Sequence, residues 1–153
     1  MKGEHFNLRV YGLLMNQENQ ILISDEEQNG FKFTKFPGGG LEFGESLTDA
    51  LKREFIEEMN LDIEIEKHFY TTDFYVKSAF DGGQLIAVYY VVKPLTEMNF
   101  NFGKFPFDFT NQTELNKQCL RFVDINNLNT EDLTFPVDKH VVDLLKTQLI
   151  SYS

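Results

Sequence analysis

Apolar and polar positions along the 153-residue chain follow the period of strands, then of a helix, then of strands again. Phe6 to Met15 reads as a strand with Leu8 and Val10 on one face, Asn16 to Asn19 as a polar turn, and Ile21 to Ser24 as the returning strand. Asn29-Gly30 marks a hairpin, because both residues tolerate positive φ. Phe31 to Phe36 follows as a strand in which aromatic residues alternate with Lys32, Thr34 and Lys35. Pro37-Gly38-Gly39-Gly40 is expected to break regular structure. Ser46 to Met59 is the strongest helix: Ser46 can cap its N-terminus, Asp49 stands where a capping box needs an acid, and Leu47, Leu51 and Phe55 recur at helical spacing. Asn60 suits the left-handed residue that ends it.

Further on, Ile63 and Ile65 alternate with Asp62, Glu64 and Glu66 as a strand. Phe74 to Phe80 and Leu85 to Val92 flank Asp81-Gly82-Gly83 and read as a second hairpin. Asn99 to Asn111 is a Phe-rich loop, Leu120 to Val123 a late strand, and Pro136 to Leu149 a closing helix with Val137, Val141, Leu144 and Leu145 on one face. The expected architecture is α+β: a mixed sheet with one early and one late helix in a single domain, 1–153.

Composition narrows the partners. Fourteen basic against twenty-four acidic residues leave a net charge of −10, which repels nucleic-acid backbones and disfavours a nucleic-acid binder. The same charge repels a phosphorylated metabolite, so such a substrate needs a cation or a local basic patch in its site. The single cysteine, Cys119, has apolar neighbours and reads as a buried structural thiol. Met1 to His5 carries no secretion signal and no stretch reaches the length of a membrane span, so no membrane is expected and a cytoplasmic address follows by elimination. His5, His68 and His140 are scattered without metal-ligand spacing.

Chemistry concentrates between Gly39 and Leu61. On a helix, Glu54, Glu57 and Glu58 fall within a sector of about 100° that borders the apolar stripe. Two carboxylates about 5 Å apart repel by about 3 kcal/mol at an effective dielectric of 20. Three are costly unless a cation or protons neutralise them, and hard oxygen ligands suit Mg²⁺, Mn²⁺ or Ca²⁺. A solvated acidic face is the plainer alternative for a lone Glu-Glu pair. Here Gly39, Glu45 and Arg53 accompany the acids at fixed offsets.

Gly39, five residues, Glu45, seven residues, then Arg53-Glu54-Phe55-Ile56-Glu57-Glu58-Met59-Asn60-Leu61 resembles the Nudix box, complete except that Asn60 stands where that family usually has Gly. The box covers 39–61. Gly12, Lys35-Phe36-Pro37 and the Phe122-to-Leu128 segment extend a looser resemblance over nearly the whole chain. The resemblance implies a Nudix fold, an α/β/α sandwich around a mixed sheet. It implies Glu54, Glu57 and Glu58 as metal ligands with the Gly39 carbonyl, Mg²⁺ as cofactor with Mn²⁺ as substitute, and Arg53 and Glu45 as supports of the network. It also implies hydrolysis of a diphosphate linkage in a nucleotide-like metabolite by water attacking phosphorus. Glu57 is the first choice of general base, with Glu97 and Glu114 as outside candidates. Two other readings stand beside it: a catalytically silent nucleotide-sensing domain, and an isomerase or other Mg²⁺ enzyme on a similar scaffold.

Phe100, Phe102, Phe105, Phe107 and Phe109 suit stacking on a nucleobase, packing of the loop on its own domain, or a homodimer contact. Lys32, Lys35 and Lys104 are candidates for phosphate contact, against the plainer reading of solvated lysines.

Overall fold

The computed structural model describes residues 4–152. The chain divides into two compact units, one formed by the chain up to Leu14 with Pro37–Met98, the other by Met15–Phe36 with the chain from Asn99 onward.

The first unit is built on β1 (Phe6–Leu14), β4 (Gly38–Gly40), α1 (Leu47–Met59), β5 (Ile63–Thr71) and β6 (Gln84–Pro94). Its sheet has the order β4-β1-β6-β5, with β1 and β6 parallel and the other pairs antiparallel. α1 buries Ala50, Leu51, Phe55 and Met59. Gly12 on β1 is where helix meets sheet: a Cβ there would lie 2.7 Å from the Phe55 ring. Any larger residue would lever the helix off, and truncating the buried Phe55 to Ala would cost about 3–5 kcal/mol.

In the second unit, β2 (Gln20–Gln28), β3 (Phe31–Lys35) and β7 (Lys117–Asp124) form an antiparallel sheet of order β3-β2-β7. η1 (Thr130–Asp132) leads to α2 (Pro136–Tyr152), which buries Val137, Val141, Val142 and Leu145. Asn29 and Gly30 take φ of 51° and 82°, as the hairpin requires. The α+β class predicted from the pattern is the observed one. None of the described helices is long and apolar enough to cross a membrane.

Three expectations need correction. Gly38–Gly40 does not break regular structure but pairs with β1 as a short strand. The missing side chains allow this approach, since a Cβ on Gly38 would fall 2.1 Å from the Val10 carbonyl oxygen. Phe74–Phe80 is not a full strand: only its Val76-to-Ser78 part lies against the start of β6, where the Leu85 N–H donates to the Val76 carbonyl at 2.8 Å, the Ser78 N–H donates to the Gly83 carbonyl at 2.7 Å and Lys77 bridges to Gln84. β2 continues past Ser24, where the expected strand ends, through the carboxylates Asp25, Glu26 and Glu27. They are paired: Asp25 with Arg121 at 2.6 Å, Glu26 with Lys35 at 3.2 Å and Glu27 with Lys117 at 3.0 Å. Lys35 is accordingly buried rather than solvated.

Candidate metal centre

The loop from β4 into α1 sets the site. Ser46 caps the helix, its Oγ accepting from the Asp49 N–H at 3.1 Å, which is one arm of a capping box. At the other end Asn60 adopts φ 51° and ψ 42°, and its N–H donates to the Ile56 carbonyl at 2.9 Å. That is the left-handed cap predicted for it. Between these caps the helix holds Arg53, Glu54, Glu57 and Glu58 on adjacent positions of one side.

Arg53 organises the acids. Its Nε and Nη2 donate to the two oxygens of Glu45 at 2.9 and 2.7 Å, a bidentate pair, and Nη2 also donates to the Gly40 carbonyl at 3.0 Å. Nη1 donates to Glu54 at 3.0 Å and to Glu57 at 3.2 Å. Glu42 stands 3.8 Å from the same nitrogen. One guanidinium thus faces four carboxylates, a local charge of +1 − 4 = −3. The hydrogen bonds from Arg53 hold the Glu45 carboxyl below its ordinary value of 4.5. The hydrogen bonds that Arg53 donates to Glu45 raise its guanidinium above its own ordinary value, so it stays charged at any relevant pH.

Gly39 is pressed against the helix. A Cβ there would lie 2.5 Å from both Cδ and Oε1 of Glu54, so the backbone can approach this carboxylate only at glycine. Glu54 is 15% exposed and Glu57 57% exposed, while Oε2 of Glu58 is buried. Among the described residues no three Asp, Glu, His or Cys side chains already converge on one metal-sized point. Arg53 holds Glu54 and Glu57 instead. The donor set nevertheless fits a hard divalent cation: carboxylates in excess of positive charge, beside a backbone bared by glycine. To meet the other two on one ion, Glu57, the most exposed of the three acids, would have to turn from Arg53.

Contacts thus link Gly39, Glu45, Arg53, Glu54 and Glu57, while Glu58 stands one helical turn on from Glu54. Glu97 is exposed after β6, in the same unit. Glu114 is exposed in the second unit, as are Phe102 and Phe105. Within that unit Phe102 packs on Phe100 and Phe122, with centroids 4.4 and 5.2 Å apart. Cys119 is buried, and desolvation raises its thiol pKa, which suits a structural residue. His5 has a partner that the sequence did not reveal, Asp81 at 3.0 Å. Two further residues escaped the sequence reading: Glu42, whose exposed loop position gives no signal, and Arg9, whose register opposite Gly40 only the sheet reveals.

A family model described as NUDIX domain matches residues 5–144. No curated protein matches the sequence. The chain is similar in structure to a NUDIX hydrolase from Nitrosomonas europaea, at TM-score 0.69 and 15% identity over 94% of this chain and 90% of that one. It is similar to a MutT described for Aliivibrio salmonicida and Vibrio cholerae, at TM-score 0.62 and 21% identity over 94% and 99%. A UDP-X diphosphatase shares TM-score 0.62 and 18% identity over 94% of this chain and 64% of that chain. At these identities the likeness is one of fold.

Proposed function

We propose that this chain, which belongs to the Nudix family of pyrophosphohydrolases, cleaves the diphosphate linkage of a nucleotide-like metabolite with Mg²⁺ or Mn²⁺ in its acidic site. The observation that carries the reading is the lattice around Arg53, which ties Glu45, Glu54 and Glu57 to the glycine strand. Glu54, Glu57 and Glu58 would hold the metal, with the Gly39 carbonyl beside them. Bound there, the cation would neutralise phosphate charge and lower the pKa of an attacking water.

The chain's own residues do the positioning. Glu45 fixes the guanidinium plane through two parallel hydrogen bonds, the geometry that holds best. Arg53 in turn fixes Glu54 against Gly39. Glu57 is the general base by its exposure and its place on the helix; Glu97 and Glu114 rank behind it. The water proton passes to a carboxylate oxygen as the water oxygen bonds to phosphorus and the bridging oxygen leaves.

A nucleotide-like substrate is supported by one of the structural relatives being a UDP-X diphosphatase. The family match runs across segments of both units, and we read 1–153 as one catalytic domain. A cytoplasmic address, a homodimer and base stacking by Phe100–Phe109 belong to the same reading. The complete acid set favours turnover over a silent sensing domain. The test is a screen of nucleoside triphosphates, nucleotide sugars, dinucleoside polyphosphates and dinucleotide cofactors with Mg²⁺, identifying products. Cleavage of none of them overturns the reading.

A further inference from the structure

Arg53 makes as many hydrogen bonds as it has N–H groups. A guanidinium carries five such donors. Nε and Nη2 serve Glu45, Nη2 also serves the Gly40 carbonyl, and Nη1 serves Glu54 and Glu57. Glu42 is the fourth carboxylate at this group and stands outside hydrogen-bond range, with Oε1 3.8 Å from Nη1. Its backbone is nonetheless fixed, because the Glu42 N–H donates to Glu45 Oε1 at 2.8 Å. The lattice that seats Arg53 thus seats Glu42 as well, while the Glu42 side chain stays 69% exposed.

The two acids on Nη1 are held unequally. Glu54 lies against Gly39 and is largely buried, whereas Glu57 has the longer bond, 3.2 against 3.0 Å, and is mostly exposed. Glu57 is therefore the acid that can be drawn away from Arg53. Its departure opens one Nη1 N–H on the side where Glu42 waits. A charged donor makes its strongest hydrogen bond to a carboxylate. A shift of about 1 Å by an exposed side chain brings Glu42 into range.

We propose that Glu42 is a positioning residue for the divalent cation: it takes the Arg53 N–H that Glu57 gives up when Glu57 turns to the ion. The proposal rests on the metal reading of this site and adds to it an exchange of two acids on one guanidinium. In the metal-free chain Glu42 contributes little, because the hydrogen bonds of Arg53 are already made. Its contribution arises once Glu57 has turned, since Arg53 then keeps a full set of acceptors.

Calorimetric titration with Mg²⁺ and with Mn²⁺ tests this without turnover. Glu42→Gln should keep the metal-free melting temperature and bind either ion about three- to fivefold more weakly, the scale of one exposed ion pair. Glu42→Asp keeps the charge but is one carbon–carbon bond shorter, about 1.5 Å, and should bind as weakly as Glu42→Gln. Full affinity in Glu42→Asp would show that the charge acts from a distance, and overturns the exchange. In a Glu57→Gln background no carboxylate leaves Arg53, so Glu42→Gln should weaken binding no further. An undiminished loss there would show Glu42 acting on the ion itself, and also overturns the exchange. Equal affinities in the unmodified chain and Glu42→Gln overturn the proposal alone. No binding of either ion by the unmodified chain overturns the metal reading and the proposal together. The predicted Glu42 dependence without hydrolysis of any compound of the screen overturns the hydrolase reading and leaves the exchange standing.

Discussion

Replacing Gly39 by alanine inserts one methyl group between the glycine strand and Glu54. The added Cβ would sit 2.5 Å from Cδ and Oε1 of Glu54 and 2.7 Å from Oε2. Favourable non-bonded separations are about 3.5–4.0 Å, so the carboxylate must retreat by about 1 Å. It is the end of a flexible side chain and can move, but its hydrogen bond from Arg53 Nη1, 3.0 Å long, is then stretched out of range. That loss, discounted for the partial exposure of both groups, is about 1 kcal/mol. In a domain of this size it lowers the melting temperature by about 2–4 °C. On the proposed reading the larger effect is on the metal, because a misplaced Glu54 would leave the ligand set. Mg²⁺ titration followed by thermal shift should show at least about a tenfold weaker midpoint, the scale of disturbing a single ligand or its support. Gly40→Ala is the control for stability, since its Cβ has room. Equal melting temperatures and equal Mg²⁺ midpoints in the Gly39 and Gly40 variants would refute the close-approach account.

Glu45 tests the Arg53 lattice by pH. Its folded pKa is depressed, so its stabilisation is complete above the ordinary value of 4.5 and is lost as pH falls through the lower folded value. Glu45→Gln should therefore flatten the acid limb of a melting-temperature profile below that pH and lower the plateau above it; an unaltered limb would count against the lattice. Asn60→Gly should change stability by less than about 1 kcal/mol, whereas Asn60→Val should be clearly destabilising at φ 51°. The reverse order in denaturant melts would remove the capping account. Phe102→Ala should lower stability, because that ring packs on Phe100 and Phe122, while Phe105→Ala, at 54% exposure, should keep its melting temperature and raise KM for a nucleotide substrate. An unchanged KM in Phe105→Ala would remove the loop from substrate choice.

What could be read in advance was whatever depends on a short stretch of chain. Ser46, the apolar spacing to Phe55 and Asn60 define α1 almost to the residue, since caps and periodicity act within a few positions. Asn29-Gly30 places its turn for the same reason. The acids beside Arg53 are neighbours because one helix and one loop carry them all. Features that depend on remote partners were not legible. Asp25, Glu26 and Glu27 are polar letters until Arg121, Lys35 and Lys117 arrive beside them on other strands. Gly38–Gly40 reads as a break until β1 offers an edge that only glycine can approach. Phe74–Phe80 has strand-like composition, but only Val76 to Ser78 finds backbone partners, at Gly83 to Leu85. Arg9 carries no local signal at all, and its place opposite Gly40 follows from pairing between segments about thirty residues apart.

Hydrolysis in water labelled with heavy oxygen, comparing the unmodified chain with Glu57→Gln and Glu58→Gln, tests the central claim most directly. The account predicts Mg²⁺-dependent cleavage of a nucleoside diphosphate derivative, with the label on one phosphate product and none on the non-phosphate part. It predicts turnover reduced about a hundredfold or more in each variant, with the fold retained. Near-normal turnover in both variants, cleavage indifferent to chelation of the metal, or label on carbon instead of phosphorus would contradict it.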